Sequence, residues 1–505
     1  DAKGPLAIKV VYRLYAHELS VRTNFLTHNY GLINGASTFL YVSREDSRPS
    51  KVNVQLPKGW GVDTGLKKLA ENSFESRSLD ELIDSPFIVG NLQTYNFEIS
   101  KVAHRLSMVG DLRFWDLKNK VGPDVERLTK EIMAHWGVIP YESYAYLNVV
   151  DKGRGGLEHL DSTLMISKPL APRSRKAYLS WLGLVSHEFY HTWNVKRLRP
   201  KVLGPFDYDN ENYSRSLWIA EGITSYYDDL MLQRAGLFTE EEYLERLSKQ
   251  LAYVEESVGS TVQSLSDASH DAWIKYYRKD ENSPNTQTNY YSKGAAVGFL
   301  LDMTLRQMTN ERVSLDTLMK EAYVRFSKDG FTTQEFRALA TELAGQSLDT
   351  FFAKFVDGTA ALEHEPALSR MGLRWKSQEP EEEDEGYPKQ GWTGWTLRED
   401  NGVFVKYAEE GAPAHGAGIA PGDEVVAIDG YRTRTADEVE ELLASLGEGA
   451  SMDVALSRRG RLLNLTLVLK AAPKNVWELE VSPKASARNK QRRARWLSTR
   501  VVEKN

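Results

Sequence analysis

The sequence predicts a multidomain α+β protein, and three observations carry that reading. Short β-rich runs fill residues 1–105, among them LAIKVVYRLYA, STFLYVS and KVNVQLP, separated by Gly, Asn and Pro. Residues 106–375 turn mainly helical, with two capping-box patterns, Thr239 with Glu242 and Thr332 with Glu335, each ahead of an apolar run. A stretch of like charge at 376–390 then breaks the chain, and residues 391–471 return to β-rich runs around one helix. At 505 residues the chain exceeds one ordinary domain and is long enough to enclose a sizeable core.

Composition excludes several classes of function. Hydrophobic residues make up 41% and charged residues 27%, and no apolar run approaches the length of a membrane span. A net charge of −6, from 64 basic and 70 acidic residues, provides no overall field to gather nucleic acid or anionic lipid. The absence of cysteine excludes disulfides, thiolate zinc sites and thiol catalysis, and leaves cytoplasm and periplasm both open as compartments. The chain starts at Asp1 without an initiator Met, as a removed signal peptide or a missing preceding segment would leave it. Nothing in the sequence bears on oligomeric state.

Within the helical region, GDLRFWDLKNKVGPDVERLTKEIMAHWGV has helical period, SYAYLNVV reads as a strand, and RGGLEHLDSTLMIS follows it. The next segment, RKAYLSWLGLVSHEFYHTWNV, is mostly apolar and free of Pro, which predicts a buried helix. It carries His187 and His191 four positions apart, so both imidazoles project from one face and can hold one metal ion. Glu188 is turned about 100° from His187, beside such an ion rather than on it, where a carboxylate can take a proton from water. A chance HExxH in a chain of this length has a probability of about 1%. Unpaired polar groups in an apolar helix are costly and need a reason.

A catalytic zinc site takes three protein ligands and keeps one position open. Two downstream residues qualify: Glu221 in the apolar SLWIAEGITSYYDDL and Glu211 in the polar DYDNENYSRS. A buried helix holds a ligand more rigidly than a polar loop, which favours Glu221. A third histidine is disfavoured, because the residues after His191 lack the glycine-turn-histidine continuation of the metzincins. A set of two histidines and a glutamate also accepts divalent ions other than zinc.

HEFYHTWNVKRLRP followed by LWIAEGITSYYDDL, with β-rich sequence before and a small domain after, resembles the glycyl aminopeptidase family of gluzincin metallopeptidases over residues 8–470. The resemblance implies a thermolysin-like catalytic domain at 106–375, one zinc ion held by His187, His191 and Glu221, and Glu188 as general base. It implies a peptide substrate whose free amino-terminal residue is small, Gly or Ala. GGLEH at 155–159 is similar to the GxMEN edge strand of related aminopeptidases, with Gly155 and Gly156 along the substrate and Glu158 in the position that binds its amino group. An acylated terminus would lose that ion pair, a penalty on the order of a few kcal/mol. In NYYSKGAAVGFLLDM, Tyr291 has the Tyr-x-Lys-Gly context in which a phenol supports the oxyanion, and Tyr290 is the competing choice. Such a donor is worth about 10² to 10³ in rate. Family members carry further strands ahead of this chain's first, so the amino-terminal domain is expected to be incomplete. An endopeptidase of the same clan, or a peptide-binding protein with an inactive metal site, are the alternatives.

GIAPGDEVVAIDG at 418–430 resembles the PDZ signature, which makes 391–471 a PDZ-like domain whose groove would take an extended peptide or a protein carboxy terminus by strand addition. Residues 472–505 form a basic tail with Lys490, Arg492, Arg493 and Arg495, expected to be a solvated or intramolecularly paired helix rather than a nucleic-acid site.

Overall fold

The computed structural model describes residues 8–43, 45, 47–376, 391–473 and 477–498. The acidic break read at 376–390 lies outside them except for Lys376. Among the described residues no helix is long and apolar enough to cross a membrane.

Short strands build two small antiparallel sheets at the amino-terminal end. One runs in the order Phe25–Leu26, Tyr30–Ile33, Phe87–Gly90, Gly61–Thr64, and the other Ser50–Asn53, Ser73–Ser76, Lys67–Ala70. Tyr30, Leu32 and Ile88 of the first sheet share a core with Ala145, Leu147 and Val149 of the next domain, so the two domains are packed together. Of the run LAIKVVYRLYA, residues 8–16 form no strand, and Ile8, Val11 and Tyr15 are exposed. STFLYVS likewise forms no strand at its described residues. β-propensity expresses itself only where a neighbouring strand offers partners.

A five-stranded sheet opens the catalytic domain. Its order is Gly155–Glu158, Ser162–Ser167, Ser143–Val150, Val102–Gly110, Gln93–Ile99, with the three middle strands parallel and both outer strands antiparallel to their neighbours. The boundary expected at residue 105 therefore cuts through a strand. Gln93–Ile99 and Val102–Gly110 form a hairpin, turned by Ser100 and Lys101 at positive φ, and it belongs to this sheet. Its alternation reads like the small strands before it, which hides the change of domain. The parallel strand Ser143–Val150 is buried over nearly its whole length, hence its continuous apolar run.

Helices pack on one face of this sheet and then on each other. Gly122–Trp136 ends on Gly137 at φ +71, a left-handed C-cap that glycine adopts without strain. Arg175–Tyr190 starts at Ser174, whose hydroxyl accepts the Ala177 N–H, and runs buried beneath the edge strand. Both expected capping boxes form, at Thr239–Glu242 and Thr332–Glu335. A single large aromatic and aliphatic core joins these helices to the sheet.

The small domain closes on itself where Gly391–Trp392 pairs with Lys470–Ala471. Gly418, Gly422 and Gly430 of its signature all sit at positive φ, near +85°, a conformation L side chains rarely adopt. Outside that closure, Leu373–Trp375 pairs with Leu479–Val481, and both strands feed the main core. The small domain is thus an insertion into the catalytic body, and the tail returns to that body. The tail helix Ala487–Trp496 is intramolecularly paired: Arg493 meets Glu240 at 2.6 Å and donates to the Met371 carbonyl at 2.9 Å, and Trp496 is fully buried.

Candidate metal centre and substrate cleft

The motif helix Arg175–Tyr190 presents His187 inside its last turn and His191 at its C-cap, still in helical conformation. Glu221 arrives on a widened turn, Trp218–Gly222, in which the Ile223 N–H reaches back five residues to the Trp218 carbonyl. Widened turns of this π type recur at functional sites because they re-aim one side chain within a helix. The turn sits close because Gly222 meets Gly294 backbone to backbone; a Cβ on Gly222 would lie 2.5 Å from the Gly294 Cα. Nε2 of His187 and Nε2 of His191 each lie 3.2 Å from the same oxygen, Oε2 of Glu221. Glu211 is exposed in the preceding loop and, among the described residues, belongs to no such group.

The two imidazoles are fixed from behind. His191 Nδ1–H donates to the Asn194 carbonyl at 2.7 Å, and His187 Nδ1 faces Asp228 Oδ2 at 3.3 Å. Asn194 in turn donates its amide to the Ile219 and Ala220 carbonyls and to Thr224, tying the motif helix to the Glu221 turn. Two Nε2 atoms, each imidazole oriented by a partner on its far side, and one carboxylate oxygen make a donor set that fits zinc. Burial raises the Glu221 carboxyl, but the imidazoles of His191 and His187 outweigh it and hold the group below the usual carboxylate range. Asn194 and Asp228 are site residues that reading the sequence did not single out. Asp228 lies seven residues after Glu221, two helical turns along the same face, which is the signal that could have found it.

Glu188 is 4% exposed, and among the described residues its Oε2 has no hydrogen-bond partner. Burial pushes this carboxyl up to about 8 against the pull of the two imidazoles. Its other oxygen lies against Gly156 of the edge strand, where a Cβ would sit 2.1 Å from Oε1, so only glycine leaves room for it. Glu158, two residues on, forms a second acidic group with Glu188 and His191, their ligand atoms all within 4.8 Å of one another. Beyond Glu158 the strand end is locked by Asp84, which accepts from Lys196 Nζ at 2.8 Å and from the Leu160 N–H at 2.7 Å.

Tyr291 stacks over His187 with ring centroids 6.2 Å apart and lines the cleft beside Gly155 and Gly156. Burial, then the charge of Glu221, raises its phenol far above the ordinary tyrosine range, so it remains a hydrogen donor at neutral pH. Tyr290 is 1% exposed and points its hydroxyl to Tyr277. Lys293 anchors this segment through Nζ to the Ser260 carbonyl at 2.8 Å. The cleft has a volume of about 530 Å³ and is walled by Arg22, Arg154, Tyr276 and Tyr277 in addition to these residues.

Family models match the chain in three segments. The Peptidase M61 N-terminal domain matches residues 2–91, M61 glycyl aminopeptidase residues 180–297, and a PDZ domain residues 404–456. Among solved structures, an aminopeptidase N family protein from Idiomarina loihiensis aligns with a TM-score of 0.86 at 27% identity, covering 96% of this chain and 85% of that one. An M1 zinc metallopeptidase from Deinococcus radiodurans aligns with a TM-score of 0.46 at 14% identity, covering 69% of this chain and 74% of that one. Among curated proteins, the magnetosome formation protease MamE of Magnetospirillum gryphiswaldense is 34% identical over 67 residues, 13% of this chain and 9% of MamE. The chain spans about a tenth of the length of the curated relatives it matches.

Proposed function

We propose that the chain, which matches the M61 glycyl aminopeptidase and M61 N-terminal models and a PDZ model, is a zinc-dependent aminopeptidase removing a small residue, Gly or Ala, from peptides with a free amino terminus. One zinc ion would be held by His187, His191 and Glu221. When bound, zinc supplies polarisation of the scissile carbonyl and acidity to water. Glu188 accepts the proton at its unpartnered carboxylate and later delivers it to the leaving amine. The Tyr291 hydroxyl donates to the oxyanion as charge develops there.

The observation that carries the exopeptidase reading is Glu158, whose carboxylate lies within 4.8 Å of ligand atoms of Glu188 and His191. An ammonium paired with Glu158 leaves only the first peptide bond in reach of Glu188. The preference for Gly or Ala is carried over from the family. Among the described residues, edge strand Gly155–Glu158 ends its sheet and leaves a side on which an extended substrate can pair, with Gly155 and Gly156 giving its backbone close approach. The test compares a Gly-initiated peptide with its acetylated twin, with and without chelator. Chelator-sensitive cleavage of the free peptide, on the order of a hundredfold faster than the acetylated one, is expected. Equal cleavage of both would make the enzyme an endopeptidase and remove the role of Glu158.

For the PDZ domain we propose peptide binding by strand addition. Strand Trp395–Glu399 ends its sheet and runs beside helix Ala436–Ala444, and this arrangement supports the reading.

A further inference from the structure

The cleft has a charged end that the chemistry above does not use. Of the residues that line it, Arg22 and Arg154 are the charged ones, and both are exposed. Among the described residues neither guanidinium is within ion-pair distance of a carboxylate; Arg154 acts on the half-buried Asp229 only through space. Arg22 comes from the amino-terminal domain and stands over the Tyr277 ring at 5.8 Å. The Tyr277 hydroxyl lies 3.1 Å from that of Tyr291, so this arginine is placed against the wall that ends at the reacting centre. Arg154 directly precedes the edge strand Gly155–Glu158.

The strand fixes the direction a substrate takes, given the aminopeptidase reading on which this inference rests. With its ammonium at Glu158, a peptide cannot run on past that residue. His159 is 4% exposed there, and Asp84, Lys196 and the Leu160 N–H close the end. It must run the other way, antiparallel to the strand, past Gly156 and Gly155 toward Arg154. A strand rises about 3.3 Å per residue, so Arg154 starts roughly 13 Å from Glu158. An extended tripeptide spans roughly 10 Å. Its terminal carboxylate therefore arrives at Gly155, within reach of an arginine side chain, and planar guanidinium groups suit a carboxylate.

We propose that Arg154 and Arg22 form a carboxylate subsite beyond the scissile bond. The subsite selects peptides that present a carboxylate at the third residue, either the α-carboxylate of a tripeptide or an acidic side chain of a longer peptide.

The test measures kcat/KM for Gly-Ala-Ala against Gly-Ala-Ala-amide, and for Gly-Ala-Asp-Ala-amide against Gly-Ala-Asn-Ala-amide. It uses the full chain as wild type, Arg154→Ala, Arg22→Ala and Arg154→Lys. Glycine p-nitroanilide, which carries no carboxylate, is the reference substrate. The expected wild-type preference for the carboxylate member of at least one pair is about tenfold or more, the worth of a hydrogen bond to a charged group. Each alanine variant brings that ratio toward one, and the lysine variant keeps part of it. A ratio within one variant is unaffected by a partly unfolded sample. Preference in the first pair assigns the terminal carboxylate, and preference in the second assigns the side chain. Ratios of one in wild type, or ratios unchanged in both alanine variants, with the p-nitroanilide still cleaved, would overturn the subsite alone. Loss of p-nitroanilide cleavage together with all four peptides would overturn the aminopeptidase reading and the subsite with it.

Discussion

Two buried charge clusters share the helical body, and they differ in closure. The first joins Arg234, Asp316, Asp302 and Arg306. Asp316 accepts from Tyr227 at 2.7 Å and pairs with Arg234 at 3.1 Å. Asp302 accepts from Arg306 at 2.9 Å, Tyr226 at 2.7 Å and the Leu315 N–H at 2.8 Å. Arg234 also donates to the Trp496 carbonyl at 2.9 Å, so the tail helix is tied into this cluster. All four carboxylate oxygens have a donor. In the second cluster two imidazoles crowd a single oxygen of Glu221, and among the described residues Glu188 Oε2 has no partner. A buried carboxylate oxygen without a partner costs free energy until something completes it, and here it stands beside three ligand-type atoms. Closure marks the first cluster as architecture, and the open valences of the second mark it as the place where something else binds.

The contrast breaks most sharply under two substitutions. Glu188→Gln keeps the shape and removes the base, so kcat should fall by about 10² to 10⁴, while zinc content and thermal midpoint are not lowered. Metal analysis and calorimetry beside the rate measurement check this, and a variant that unfolds would mean that Glu188 belongs to the architecture. Asp316→Ala should do the reverse. It leaves the fully buried Arg234 guanidinium without its counter-charge, at a cost of about 3 to 5 kcal/mol in urea unfolding, with activity per folded molecule retained. A cost below about 1 kcal/mol would show that the closed network does not hold the body together.

Much of the site is legible in the sequence because it contradicts its surroundings. Two histidines and a glutamate inside an apolar helix stand out, and Glu221 is separated from Glu211 by the apolar run around it. Gly222 beside Glu221 also has a physical reason, its contact with Gly294. Asn194 and Asp228 are not legible in the same way. Their function is to orient imidazoles, and it exists only after the motif helix meets the Glu221 turn. The fold follows the same division. Capping boxes are local and appear as expected, whereas the pairing of Leu373 with Val481 joins residues far apart and has no local signature. The insertion of the PDZ domain and the docking of Trp496 therefore emerge only in three dimensions. Arg22 is equally silent, an exposed residue in a turn until Tyr277 and Arg154 come beside it.

His104 extends the comparison to a smaller effect, since it is a buried titratable group that is closed yet neutral. It is 1% exposed and stacked on Phe97; its Nδ1–H donates to the Val102 carbonyl at 2.9 Å, and the Tyr141 hydroxyl meets its Nε2 at 3.0 Å. Burial, against the hydrogen bond to Val102, pushes the imidazole down to about 4. An unfolded histidine titrates near 6.5, so between about pH 6.5 and 4 the unfolded chain binds the extra proton and stability rises with pH. The contribution is complete above about pH 6.5 and is lost as pH falls toward 4, a deficit of about 2 kcal/mol at pH 5. His135, also pushed down by burial to about 3, acts in the same direction, so a wild-type measurement alone does not separate the two. His104→Gln does, because it removes one titration and leaves the other: its urea stability should fall by about 2 kcal/mol less than wild type between pH 7 and pH 5. Equal pH dependence in the two proteins would mean that His104 takes up its proton in the native state, and that closure by a carbonyl and a phenol does not keep a buried histidine neutral.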